Sequence, residues 1–100
     1  MKCIDGLLEY HHGNNEKAFQ ILEDYYKDHG NVAEHYLVNK VFGLLLLERG
    51  MTDKAIGFLK YALQFNPDDE KSLIGLKRCY TNANNQDKVA VIDEILALLS

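Results

Sequence analysis

Apolar residues recur along this chain at the three- and four-residue spacing of an α-helix, interrupted by short polar or glycine-bearing gaps. The clearest stretch is Gly43 to Pro67. Arg49-Gly50 ends one helix there, because glycine adopts the left-handed conformation of a helix C-terminus without steric cost. Thr52 or Asp53 is placed to cap a second helix through a side-chain oxygen. Ala55, Ile56, Leu59, Ala62 and Leu63 follow at helical spacing, and Pro67 stops the segment because it has no N–H to donate. The segment is a helical hairpin, and a lone hairpin cannot bury its apolar faces.

The same reading extends over the rest of the chain. A first helix is expected over about residues 2–12, with Ile4, Leu7, Leu8 and His11 on one side and Gly13 at its end. A second starts at Asn14-Asn15, carries Ala18, Phe19, Leu22, Tyr25 and Tyr26, and stops at His29-Gly30. A third begins at an Asn31 cap, with Glu34 reaching back to it, and continues to Arg49. The fourth covers about residues 53–65. Asp68, Asp69 and Glu70 then supply the negative charge that suits the start of a fifth helix, which runs to about Asn82. After an asparagine-rich turn, a sixth helix covers about residues 86–99.

These helices repeat in pairs. GLLEYHHGNNEKA from Gly6 lies against GLLLLERGMTDKA from Gly43, 37 residues on, with Leu22 answering Leu59. Downstream, Asp87-Lys88-Val89 echoes Asp53-Lys54-Ala55 at a spacing of 34. A period of this size marks a helical repeat that needs neighbours to close its core. The three additional residues between the first two units are expected as an added turn near Val32–His35.

The middle unit resembles a tetratricopeptide repeat. Phe42-Gly43 with Leu46 stands for that family's apolar-Gly-x-x-aromatic run, Ala55 with Leu59 for its Ala-x-x-x-aromatic run, and Ala62 and Pro67 follow in place. Departures are plain: the chain has no Trp, Asn39 replaces the first-helix aromatic, and Asp5 and Glu9 occupy expected core positions. In the third unit Lys77, Val89 and Asp93 replace the small and aromatic residues. The resemblance implies an all-α, right-handed solenoid of three antiparallel helix pairs, one domain over residues 1–100, with units at about 1–30, 31–67 and 68–100.

Composition narrows the choice of activity. The chain is 47% apolar, with 7 Gly and 1 Pro, which suits a folded helical domain. A net charge of −4 weighs against nucleic acid as the main partner. No apolar run approaches the ~20 residues of a membrane span, so membrane insertion is not expected. The start, Met1-Lys2-Cys3, lacks the apolar core of a signal peptide, and the expected location is cytoplasmic; a piece of a longer protein would read the same way. Cys3 and Cys79 form no C-x-x-C pair, and Cys79 falls at a packing position. His11, His12, His29 and His35 show no metal-ligand spacing. Asp68, Asp69 and Glu70 point apart on a helix rather than forming a carboxylate pair. The chain is therefore expected to be non-catalytic and to need no cofactor.

In the family it resembles, the first helix of each pair lines a concave groove that holds peptides. Carried over from Gly43, the groove side of the third helix presents Leu37, Lys40, Leu44 and Leu47. The fifth helix presents Lys71, Ile74, Arg78 and Thr81, and the first presents Cys3, Leu7 and Tyr10. The implied ligand is a protein or peptide segment with apolar anchors and an acidic group or C-terminal carboxylate. The chaperone-tail clamp known in some relatives is incomplete, because Leu44 stands at its Asn site and Gly75 at its Arg site. The sixth helix is apolar on more than one face, so Val91, Ile95 and Leu98 mark a candidate oligomer interface, a homodimer through the C-terminal helix. An oligomerisation unit and a regulatory domain of a larger protein are thus the alternatives to an interaction module.

Overall fold

A computed structural model describes residues 2–29 and 36–99. It comprises six helices, α1 (Lys2–His11), α2 (Asn15–His29), α3 (Tyr36–Glu48), α4 (Thr52–Phe65), α5 (Glu70–Asn82) and α6 (Gln86–Leu99), with no strand among the described residues. The expected Asn31 cap, its partner Glu34, the helix stop at Gly30 and the added turn near residues 32–35 lie outside the described residues. Each helix packs on the next, and α3 also packs on both α1 and α5.

The three hairpin turns share one backbone solution. At the end of α1 the Gly13 N–H donates to the Tyr10 carbonyl (3.0 Å) and the Asn14 N–H to Glu9 (2.9 Å). At the end of α3 the Gly50 N–H donates to Leu47 (3.0 Å) and the Met51 N–H to Leu46 (2.9 Å). At the end of α5 the Asn84 N–H donates to Thr81 (3.1 Å) and the Asn85 N–H to Tyr80 (2.8 Å). This nested pair satisfies two orphan carbonyls and needs a residue with positive φ. Gly13 (84°), Gly50 (77°) and Asn84 (58°) supply it, at the 37- and 34-residue intervals of the repeat. The residue after each starts the next helix, since Ala18, Ala55 and Val89 donate their N–H groups to the Asn14, Met51 and Asn85 carbonyls. This corrects the expected cap of α4. Thr52 is already helical and Met51 holds the cap position without a side-chain bond, because the turn geometry fixes the start of the helix independently of a polar cap.

The glycines of the first two units sit where paired helices meet. A Cβ on Gly6 would lie 2.7 Å from Leu22 Cγ, and one on Gly43 would lie 2.9 Å from Leu59 Cγ. Leu22, Ala55, Leu59 and Ala62 are wholly buried. In the third unit the same two places hold Lys77 and Asp93, whose charged groups pair at 2.6 Å. Ile92 is the buried residue of α6.

Between the hairpins the core is aromatic. Tyr26 stacks on Phe42 (ring centroids 4.8 Å apart), Phe19 stacks on Phe42 (5.5 Å), and Phe58 meets both Tyr26 and Phe42 edge-on (4.7 and 5.0 Å). The Tyr26 hydroxyl donates to Asn39 Oδ1 (2.7 Å) inside this core. Asn39 is therefore a buried polar group that the neighbouring tyrosine satisfies, as a buried amide requires. Arg49 lies 3.8 Å from the Phe19 ring centre and pairs with Glu16, tying the end of α3 to the start of α2.

The inward face of α1 differs from the expected one. Gly6 is buried and Leu7 and Tyr10 are half-buried, whereas Ile4 and Leu8 are about half exposed, at 50% and 52%, and His11 is exposed. The close seat of Gly6 on Leu22 sets the rotation of the helix, and Ile4 and Leu8 are left outside it.

Candidate functional site

Three helices separated in sequence deliver side chains to one shallow pocket of about 260 Å³. Tyr10 comes from the last turn of α1. Leu44, Leu47 and Glu48 come from one side of α3, and Lys71, Ile74, Gly75 and Arg78 from one side of α5. The spacing explains the alignment: 44, 47 and 48 share a helical face, as do 71, 74, 75 and 78. Leu47 is buried and forms the floor, Leu44 is half-buried, and Ile74, Lys71 and Arg78 are exposed at the rim.

Six of the eleven groove residues read from the sequence meet here: Tyr10, Leu44, Leu47, Lys71, Ile74 and Arg78. Leu7 and Leu37 do not line the pocket; Leu7 packs against the core and Leu37 is exposed. Thr81 turns its hydroxyl to the Lys77 carbonyl (2.9 Å). The side chain of Cys3 lies outside the described residues.

Lys40 is a correction. The sequence places it at the flank of the groove as a cation for the ligand, yet its ammonium pairs with Asp69 at 2.9 Å, with side-chain exposures of 17% and 6%. Asp69 is the N-cap residue of α5, where the helix dipole also favours negative charge. The pair joins α3 to the start of α5, and little of the lysine's charge is left for a ligand.

Two further residues line the pocket outside the expected set, Glu48 and Gly75. Glu48 brings an acid to the wall opposite Lys71 and Arg78 and accepts a hydrogen bond from the Asn15 amide (3.3 Å). Its signal was available, since it follows Leu44 by four residues on the same helical face. Burial pushes the Tyr10 phenol above its usual range; the nearby Glu48 charge adds to this and Lys40 opposes it. The phenol is thus held as a neutral hydrogen-bonding group at the pocket's α1 end. A Cβ on Gly75 would lie 2.9 Å from Leu44 Cδ2, so the glycine makes room for the leucine side chain at this end of the pocket.

Elsewhere among the described residues no three His, Cys, Asp or Glu side chains gather in a metal-binding group. No described helix is long and apolar enough to cross a membrane. Cys79 is a buried free thiol, its pKa raised by burial. Neither protein-family models nor curated proteins give a match to this chain.

Proposed function

We propose that this chain is a non-catalytic interaction module, a three-hairpin solenoid of tetratricopeptide type, that holds a peptide segment in the groove built by α1, α3 and α5. The observation that carries this reading is the convergence of Tyr10, Leu44, Leu47, Lys71, Ile74 and Arg78 on one pocket. Its apolar floor takes an anchoring side chain, and Lys71 and Arg78 take an acidic group on the α5 side. Glu48 repels an acid from the opposite wall, so the ligand lies with its acidic end toward α5. Lys40 contributes through the position of α5 rather than by touching the ligand.

A displayed random-peptide library panned against the whole chain tests this. Enriched peptides are expected to carry an apolar residue close to an Asp, a Glu or a free C-terminus. Ile74→Asp, and Lys71→Glu combined with Arg78→Glu, should each weaken their binding at least tenfold while leaving the helical circular dichroism unchanged. A library without enrichment, or peptides indifferent to all three substitutions, would overturn the groove reading.

A further inference from the structure

A second and larger pocket, about 520 Å³, lies between α2 and α4. Tyr26, Phe42 and Phe58 form its aromatic base, and Met51, Tyr61 and Gly57 its rim. Gly57 is the telling residue. It sits in the middle of α4, where glycine weakens a helix, and it has ordinary helical backbone. It is exposed, and nothing lies within 4 Å of where its Cβ would be. Unlike Gly6, Gly43 and Gly75 it therefore permits no close approach, and unlike Gly13 and Gly50 it makes no turn. What the missing side chain does is keep the aromatic pocket open.

The same chain carries a matching protrusion. Val91, Ile95 and Leu98 are 55%, 36% and 85% exposed, and their spacing of four and three residues makes one stripe along α6. Val91 and Ile95 stand 34 residues after Gly57 and Tyr61, so ridge and socket occupy equivalent faces of successive even-numbered helices. Where α4 has a glycine and a hollow, α6 has a β-branched aliphatic and a ridge.

We infer that the socket between α2 and α4 receives the α6 ridge of a second copy of this chain. Because both features lie on equivalent faces, a two-fold arrangement seats each ridge in the other's socket, which is the self-complementary form that closes as a dimer. The charges allow it. The socket rim carries Glu23 paired with Lys27 (3.8 Å) together with Asp53 and Lys54, and the ridge is flanked by Asp87, Lys88 and Glu94, so a slightly acidic ridge meets a rim that holds both signs. The contact uses no residue of the peptide groove, and the two readings stand or fall separately.

Sedimentation equilibrium and light scattering from micromolar to near-millimolar concentration should show a monomer–dimer equilibrium. Leu98→Glu removes the ridge at an exposed site, and Gly57→Leu fills the socket at a site with free space. Each alone should raise the dimer dissociation constant at least tenfold, and both variants should keep wild-type helicity. The decisive arm is a mixture of the two. Leu98→Glu retains a good socket and Gly57→Leu a good ridge, so the mixed dimer regains one of two contacts and forms more tightly than either variant with itself. A wild-type chain that stays monomeric throughout overturns the inference. So does a dimer that survives Gly57→Leu, which would mean ridge-on-ridge packing, and so does a mixture no tighter than its components. Lys71→Glu with Arg78→Glu should leave the equilibrium unchanged.

Discussion

In the first two hairpins a leucine of the second helix lies against a glycine of the first, Leu22 on Gly6 and Leu59 on Gly43. The corresponding place in the third hairpin holds the Lys77–Asp93 ion pair. The exchange has consequences along the whole interface. A glycine lets two helix axes approach until a wholly buried leucine fills the remaining space. A lysine and an aspartate keep their charged heads near water, and no buried side chain fills the space between the helices there. The small positions change with it, since Val89 and Leu96 stand 34 residues after Ala55 and Ala62. Accordingly α4 buries Ala55, Leu59 and Ala62, whereas α6 buries Ile92 and leaves its aliphatic stripe outside. The same repeat thus closes on packing in two units and on surface electrostatics in the third, and the third is the one with apolar surface to spare.

The largest test of that contrast substitutes equivalent residues. Leu59 is wholly buried and touches both the Gly43 and the Gly75 positions. Leu59→Ala should cost about 2–5 kcal/mol, the range for buried leucines that leave a cavity. A small domain has only about 5–15 kcal/mol of total stability, so a loss of this size lowers Tm by roughly 4–8 °C for each kcal/mol. Asp93→Ala, at the same register, removes an ion pair that is half exposed, and should cost about 0–1 kcal/mol. Thermal and urea unfolding of the two variants checks the difference; equal losses would mean that the third hairpin is closed as tightly as the second.

The Gly–Leu seats were legible because each half is announced locally, a glycine inside an apolar helical pattern and a leucine at fixed distance from the next helix start. The convergence of Tyr10, Leu44, Leu47, Lys71, Ile74 and Arg78 on one pocket was legible for the same reason, as it follows from helical faces counted from Gly43. What escaped depends on partners far apart in sequence. Lys40 looks free until Asp69, 29 residues on, is brought to it by the packing of α3 on α5. Lys77 and Asp93 were each visible as departures, but their pairing needed the register of α5 on α6. The exposed side of α1 was misread because the apolar residues Ile4 and Leu8 resemble a core face, while Gly6, which sets the rotation, has no hydrophobic weight in the pattern. The aromatic pocket was missed although Gly57 pointed to it, a mid-helix glycine with no packing reason to be there.

The turns give a second, smaller contrast. Gly13 and Gly50 occupy the positive-φ position in the first two hairpins, and Asn84 occupies it in the third. Gly50→Ala should cost about 1–2 kcal/mol, because a Cβ in the left-handed region meets the following carbonyl. Asn84→Gly runs the other way at the equivalent position. It relieves that strain but loosens the unfolded chain, so the net change should stay within about 0.5 kcal/mol of zero, the range of a substitution that breaks no packing. Urea midpoints measured side by side decide it. A large stabilisation by Asn84→Gly would show that the third turn, and not the ion pair, is what holds α6 away.

The smallest effect separates the two faces of α5. Cys79 is wholly buried although it belongs to the looser hairpin, so α5 is well sealed on the side away from the Lys77–Asp93 pair. Burial holds its thiol pKa above the ordinary value of 9.0. Below that value both folded and unfolded chains carry the proton and stability is unaffected. Above it the unfolded chain releases its proton first, so stability falls as pH rises toward the higher native value. Burial raises the Tyr10 phenol in the same direction from 10.0, and its loss begins about one pH step later. Urea unfolding at a series of pH values between neutral and about pH 11 should therefore show a decline that starts near 9, from the Cys79 thiol. Cys79→Ala lowers stability at every pH but should flatten the first part of that decline, leaving the later, Tyr10 part in place. An unchanged slope in the variant would place the thiol in contact with water, and the seal on α5 would have to be given up.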